Sequence, residues 1–283
     1  MRAAFRLARL CLHLFWGVVT VAFAFPLLSR GPQLALKARW SRQLFDALGV
    51  RLRTTGTPID GGLFVANHIS WLDIFAINAF APAAFVSKDE VRHWPVIGWL
   101  CINTETVFLE RGSRSAALRT KQRLVEDLRA RHRIGLFPEG TTGDGAAVMP
   151  FHGALFQSAI DAGVRVAPVA IRYTDGIGQR AAAPSYVGDT SFWQSLRAIV
   201  TTGGLTAHAH FLPTLDGGDR RHLAHHAHTA IAHALAAAST PSRRARPADH
   251  TAADTPGDPQ DVPPSAHHPT DSPNPAPADS SPA

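Results

Sequence analysis

His68 and Asp73, five residues apart in Asn67-His68-Ile69-Ser70-Trp71-Leu72-Asp73, are the part of this chain best suited to chemistry. The preceding Leu63-Phe64-Val65-Ala66 reads as a short apolar strand that stops at Asn67-His68, and Ser70 opens a helix whose first turn carries Asp73. A histidine left at a strand end is within reach of a ligand. The spacing lets the Asp73 carboxylate fold back toward one imidazole nitrogen while the other faces outward, which is how a general base is held in one tautomer. Ser70-x-x-Asp73 is also an acceptable capping box, with Asp73 reaching back to a backbone N–H. Spacing alone leaves both readings open.

Other candidates fall at strand ends. Ala84-Phe85-Val86 reads as a strand ending at Ser87-Lys88, where Lys88 either points at a phosphate or is a solvated lysine. Thr106-Val107-Phe108-Leu109 ends at Glu110-Arg111-Gly112, and Ser113 then caps a long helix. Arg111 thus sits at a strand-to-helix junction, where a guanidinium can grip a phosphate through two parallel hydrogen bonds; a plain salt bridge to Glu110 or Asp144 is the alternative. Arg133 to Phe137 reads as a buried strand delivering Pro138-Glu139-Gly140-Thr141 into a loop. There Gly140 permits close backbone approach, and Glu139 can accept from a ligand hydroxyl or pair with Arg111. His152 stands at the start of a further helix, where it reads as a structural contact, with a second acid or base as the alternative. Pro168, inside an apolar run from Val164 to Tyr173, implies an edge, a bulge or a bend that shapes the pocket wall.

Asn67-His68-x4-Asp73, Phe108-Leu109-Glu110-Arg111-Gly112, Phe137-Pro138-Glu139-Gly140-Thr141 and Val166-Ala167-Pro168-Val169 resemble, in order, the four sequence blocks of the glycerolipid acyltransferases. Within that family the chain is most similar to the bacterial 1-acyl-glycerol-3-phosphate acyltransferases, over about Trp40 to Leu212. The resemblance implies acyl transfer from acyl-coenzyme A or acyl carrier protein to the sn-2 hydroxyl of a lysophospholipid acceptor, giving phosphatidic acid. It implies His68 and Asp73 as the catalytic pair, Arg111, Glu139, Gly140 and Thr141 as substrate-binding residues, and no metal or bound prosthetic group; Lys88, read from its strand end alone, is a secondary substrate-binding candidate. A lyso-ornithine lipid acceptor and a non-catalytic lipid-binding membrane protein are the rival readings. A serine hydrolase is disfavoured, because no Gly-x-Ser-x-Gly elbow occurs.

These residues must be positioned by one core: 283 residues with 45% hydrophobic content suggest no second independent domain. Strands alternating with helices argue for an α/β fold with a mostly parallel or mixed central sheet flanked by helices. Gln33 to Leu48 has an amphipathic pattern, with Leu36, Trp40, Leu44 and Leu48 four apart, and lies on the bilayer or on the core. The long helix after Arg111 is expected to bury Leu118, Leu124, Val125 and Leu128 and to pair Glu126 with Arg129 and Asp127 with Arg131.

Leu10 to Leu28 is apolar except for His13 and Thr20, and as a helix it spans about 28 Å, close to the hydrocarbon core of a bilayer. Nine of the Lys and Arg residues precede His68, against Asp46 and Asp60 alone, a placement that suits an anionic lipid surface better than nucleic acid. Residues 1–48 are therefore expected to form an N-terminal membrane-anchoring helical segment, spanning or re-entrant. Residues 49–238 form the catalytic domain, and residues 239–283, rich in Pro, Ala, Asp and Ser, a disordered tail. The family resemblance implies the cytoplasmic face of the bacterial inner membrane. Cys11 and Cys101 suggest no disulfide framework, and the histidines from His222 to His233 lack an acidic or cysteine partner for zinc.

Overall fold

The computed structural model describes residues 2–109 and 114–239. The strands are Arg51–Thr55 (β1), Gly62–Ala66 (β2), Ala84–Lys88 (β3), Val107–Leu109 (β4), Arg133–Leu136 (β5), Val166–Thr174 (β6) and Thr206–Phe211 (β7). The helices are Arg2–Val19 (α1), Arg30–Leu48 (α2), Leu72–Asn78 (α3), Ile97–Asn103 (α4), Arg114–Arg129 (α5), Phe156–Ala162 (α6), Phe192–Thr201 (α7) and Arg220–Ser239 (α8). The seven strands form one sheet in the order β1-β7-β6-β2-β5-β3-β4, parallel throughout except between β6 and β7. The sheet is mixed, as the alternation of strands and helices implies.

All five residues of β2 are buried, as a strand covered on both faces requires. Phe64 and Ala66 pack with Leu44, Phe45 and Leu48 of α2, Leu72 of α3 and Leu196 of α7. Leu63 and Val65 pack instead with Leu124 and Leu128 of α5, Phe156 of α6 and Leu223 of α8. The alternation along one strand therefore sorts the helices into two layers.

The core decides the position of α2: Leu44, Phe45 and Leu48 are at most 1% exposed. The N-terminal helix is two-sided. Leu10, Gly17 and Val21 face inward, while Phe5, Leu12, Phe15, Trp16, Phe23 and Leu27 are 61–85% exposed. With its π-helical and 3-10 turns it runs from Arg2 to Leu27, long and apolar enough to cross a membrane. His13, the polar break in this run, is satisfied by α2: its Nε2 lies 3.1 Å from the Trp40 carbonyl, and Trp40 Nε1 donates to the His13 carbonyl at 3.3 Å. Arg6 Nη1 donates to the carbonyls of Val200 and Thr202 at the C-terminal end of α7, tying the helix to the core.

Several expectations are corrected. Pro168 lies neither at an edge nor at a sheet margin, because β6 is an interior strand between β2 and β7. It stands opposite Leu212, one residue beyond the end of β7, and its carbonyl accepts the Leu212 N–H at 2.9 Å. The N–H that proline lacks would face the same point, where the β7 ladder is ending, so the loss is small. Leu118 is 56% exposed and not part of the α5 core stripe. Asp127 pairs with Arg123 at 2.8 Å, one turn back along α5, instead of with Arg131, and Arg129 donates to the Asp161 carbonyl. The helix expected to open at Ser70 begins at Leu72 and ends at Asn78. No expectation covers β1, an exposed and arginine-bearing edge strand whose sequence does not alternate.

Because β2, β5, β3 and β4 are parallel, their C-terminal ends emerge along one edge of the sheet, the usual place for a site in such folds. The Val65–Leu136 register sets Asn67-His68 beside Phe137-Pro138-Glu139. Lys88 and Leu109, paired in register, end two and three strands away on the same edge.

Candidate active site

The turn that presents His68 is built by the side chain before it. Asn67, 2% exposed, accepts the Ile171 N–H at 2.8 Å and donates to the Ile171 carbonyl at 2.9 Å, so its amide replaces a backbone rung between β2 and β6. The main chain can then leave the sheet at His68 without leaving β6 unpaired. Sequence reading assigns Asn67 no such part; only its position at the strand end hints at it.

His68 Nδ1 and Asp73 Oδ2 are 2.9 Å apart. The same carboxylate oxygen accepts the backbone N–H groups of Ile69 at 2.7 Å and Ser70 at 2.8 Å. The contact to the imidazole and the contacts to the backbone N–H groups are therefore both made, by one oxygen of Asp73. Its other oxygen accepts the hydroxyl of Tyr173 at 2.7 Å. All these partners are donors, which requires the acceptor-only carboxylate and places a proton on Nδ1. The lone pair of the neutral imidazole is then on Nε2. The ring stacks on Phe137 with centroids 3.9 Å apart, and its side chain remains 19% exposed while Asp73 is fully buried. A fixed imidazole with one nitrogen held inside and partial access to solvent is equipped to take a proton from a bound hydroxyl.

Glu139 is part of the same frame. Its Oε2 accepts the His68 backbone N–H and its Oε1 that of Met149, both at 3.2 Å, and the residue is 6% exposed. Burial pushes its carboxyl up to about 7, opposed by the two backbone donors and aided by the nearby Asp73 charge. The loop closes on His68 from the other side too, where the Gly143 N–H donates to the His68 carbonyl at 2.7 Å. Gly140 has φ +69°, a left-handed turn that glycine adopts without strain, and the His152 ring lies beside it. Gly140, Thr141 and His152 are exposed around this turn, whereas Glu139 faces inward.

Lys88 is exposed at the end of β3, separated from β2 by β5. Arg111, with Glu110, Gly112 and the expected cap Ser113, lies outside the described residues, as does the tail from 240 to 283. Asp144, one expected partner of Arg111, bonds Arg180 at 3.3 Å. Among the described residues no three His, Cys, Asp or Glu side chains are grouped as a metal ion needs. A cavity of about 530 Å³ between α4, β4 and α5, lined by Arg92, Glu105, Arg119 and Arg123, includes none of His68, Asp73 or Glu139.

Tyr173 is the other side chain of this hydrogen-bonded network that sequence reading missed. The available signal was slight: it is one of only two tyrosines in the chain, and it stands in a strand otherwise read as aliphatic core.

Comparison with known proteins identifies the family. A family model described as Acyltransferase matches residues 51–172, which contain His68, Asp73 and Glu139. The chain is 42% identical over 212 residues to a lyso-ornithine lipid O-acyltransferase of Pseudomonas aeruginosa, covering 73% of this chain and 81% of that protein. It is also 42% identical over 160 residues to a 1-acyl-sn-glycerol-3-phosphate acyltransferase of Neisseria meningitidis, covering 56% of this chain and 62% of that one. The fold is that of the crystal structure of the 1-acyl-sn-glycerophosphate acyltransferase of Thermotoga maritima, with TM-score 0.62 and 21% identity over 85% of this chain and 98% of that one. A histidine held by a buried aspartate at the sheet edge thus occurs in a chain most of whose length aligns with a named acyltransferase, and the chain belongs to the acyltransferase family of enzymes.

Proposed function

We propose that this enzyme transfers a fatty acyl group from an acyl thioester to the sn-2 hydroxyl of 1-acyl-glycerol-3-phosphate, forming phosphatidic acid. The observation that carries the reading is the His68–Asp73 pair, 2.9 Å apart, at the shared C-terminal edge of β2, β5, β3 and β4. His68 Nε2 takes the hydroxyl proton as that oxygen attacks the thioester carbonyl, and Asp73 stabilises the imidazolium. The new C–O bond forms, the tetrahedral centre collapses with loss of the C–S bond, and the imidazolium proton returns to the leaving thiolate. No covalent enzyme intermediate is required. The donor is acyl-coenzyme A or acyl carrier protein.

Glu139 fixes the His68 main chain from behind, while Gly140 and Thr141 form the exposed turn against which the glycerol is placed. Arg111, in the block that follows β4, binds the acceptor phosphate, and Lys88 lies on the same edge as a further cation. Adjacent strands are about 4.8 Å apart, so the end of β4 is displaced by about 14 Å from β2, a distance that a bound lysophospholipid and an arginine side chain together can bridge. The exposed apolar stripe of the N-terminal helix supports attachment to a membrane, and the location proposed with it is the cytoplasmic face of the bacterial inner membrane, where a lipid acceptor resides.

One observation favours a second acceptor: the match to the lyso-ornithine lipid acyltransferase extends over 212 residues against 160 for the Neisseria protein. The test is an assay of purified membranes carrying the enzyme, with lysophosphatidic acid and lyso-ornithine lipid as acceptors and both thioesters as donors. Phosphatidic acid formation that disappears in His68→Ala is the expected result. Acylation of lyso-ornithine lipid alone overturns the phosphatidic acid assignment.

A further inference from the structure

The carboxylate that holds His68 is itself held from a strand a hundred residues away. Tyr173 on β6 is 2% exposed, and its hydroxyl donates to Asp73 Oδ1 at 2.7 Å, on the oxygen that His68 does not use. Behind it stands Ser70, fully buried, whose side-chain oxygen accepts the Leu72 N–H at 3.3 Å and whose proximity to the tyrosine hydroxyl opposes the upward push on it. A buried line therefore runs from Ser70 through Tyr173 and Asp73 to His68. Tyr173 is too deep to meet a substrate. Burial and the Asp73 charge push its hydroxyl well above the ordinary tyrosine range, so it stays a donor at any working pH.

A donor on Oδ1 does two things to the carboxylate. It fixes the rotation of the group, and hence the direction of Oδ2 toward His68 Nδ1. It also draws negative charge away from Oδ2 and so tempers the pull of the carboxylate on the imidazolium. We propose that Tyr173, supported by Ser70, is a positioning residue for acyl transfer, setting through Asp73 both the orientation of His68 and the pH at which it becomes a competent base. This rests on His68 being the base in the reaction proposed above.

The titratable groups around His68 are Asp73 on α3, Glu139 after β5 and, through Asp73, Tyr173 on β6; one ring face is covered by Phe137. Glu139 is common to wild type and Tyr173→Phe, so the difference between their pH profiles isolates the tyrosine hydroxyl.

The experiment measures kcat, KM and the pH profile of kcat/KM in wild type, Tyr173→Phe, Asp73→Asn and the double variant, with melting temperatures and with His68→Ala as control. Tyr173→Phe is expected to lower kcat by about tenfold, leaving KM for acceptor and donor within about twofold, since a lost buried donor is felt by Asp73 and not by substrate. The acid limb of its profile moves to higher pH by at least about 0.3 units, because the untempered carboxylate holds the imidazolium more tightly. In the Asp73→Asn background the same substitution changes neither quantity further. If Tyr173→Phe does not fold, Ser70→Ala reads the same line and shifts the acid limb in the same direction by less. A lowered melting temperature with an unmoved acid limb and kcat within twofold makes Tyr173 a core side chain only and overturns the proposal. Wild-type turnover in folded His68→Ala overturns the underlying base assignment instead, whatever the tyrosine variants do.

Discussion

The carboxylate of Glu139 accepts the backbone N–H of His68 at 3.2 Å, so the residue whose imidazole is held by Asp73 has its main chain held by a second buried acid. One acid directs the ring and the other fixes the chain that carries it. They differ in environment: Asp73 has three short hydrogen bonds on one oxygen and one on the other, whereas Glu139 has two longer ones to backbone alone.

Glu139 leads to a prediction about pH. Burial lifts its carboxyl from 4.5 to about 7 in the folded protein, so between these values the folded state keeps a proton that the unfolded state has released. Stability contributed by the neutral acid is full below the unfolded value and is lost as pH rises toward 7. At 1.36 kcal/mol per unit this amounts to about 3 kcal/mol. Glu139→Gln cannot ionise, so the advantage of wild type over this variant in denaturant unfolding is expected to shrink by that order between pH 5 and pH 8. Parallel stability curves for the two proteins would show that Glu139 is already ionised at pH 5.

His68→Ala should lower turnover by about 10²–10⁴-fold while preserving the fold, the usual range for a lost general base. Asp73→Asn should cost both activity and stability, because the amide cannot accept from Ile69, Ser70 and His68 as the carboxylate does. Kinetics alongside thermal unfolding separate the two effects. A folded Asp73→Asn enzyme with a lower melting temperature and normal kcat would leave Asp73 as a helix cap alone.

Substitution of Arg111 is expected to discriminate between acceptors. A charge-assisted contact to phosphate is worth roughly 1.5–3 kcal/mol, so Arg111→Ala should reduce kcat/KM for lysophosphatidic acid by about 10–100-fold. Lysine at this position should restore only part, lacking the two-pronged geometry. The measurement is the ratio of kcat/KM for lysophosphatidic acid to that for a phosphate-free acceptor, in wild type and variant. Equal losses on both would assign Arg111 to the donor or to structure.

The two sides of the N-terminal helix should separate anchoring from folding. Trp16→Glu combined with Phe23→Glu places charge on the exposed side and should lower binding to anionic vesicles, with stability changed by no more than about 0.5 kcal/mol. Gly17→Leu acts on the inner side, where even a Cβ would come within 2.5 Å of Trp40 Nε1, and should destabilise the protein. Flotation with vesicles and thermal unfolding read the two effects. Unchanged flotation of the double glutamate variant would remove this stripe from the membrane contact.

The features legible from residue order lie within a few residues of one another along the chain. The strand before His68, the five-residue reach of Asp73 and the delivery of Glu139 from the next strand but two follow from apolar runs and local spacing, and the ordered blocks pointed to the family. Helix periodicity placed Leu124 and Leu128 in the core but misplaced Leu118, because the width of a buried stripe depends on what packs against it. Tertiary structure alone decided the rest. Strand order put β6 beside β2, and only that adjacency lets Asn67 replace a rung at Ile171 and lets Tyr173 reach Asp73. It also put Pro168 in the sheet interior, opposite the point where β7 ends. The two-sidedness of the N-terminal helix was hidden for the same reason: both sides are apolar, so sequence cannot distinguish the side that meets α2 and α7 from the side left exposed. Periodicity records which residues avoid water, while the partner of each is set by contacts between segments far apart in the chain.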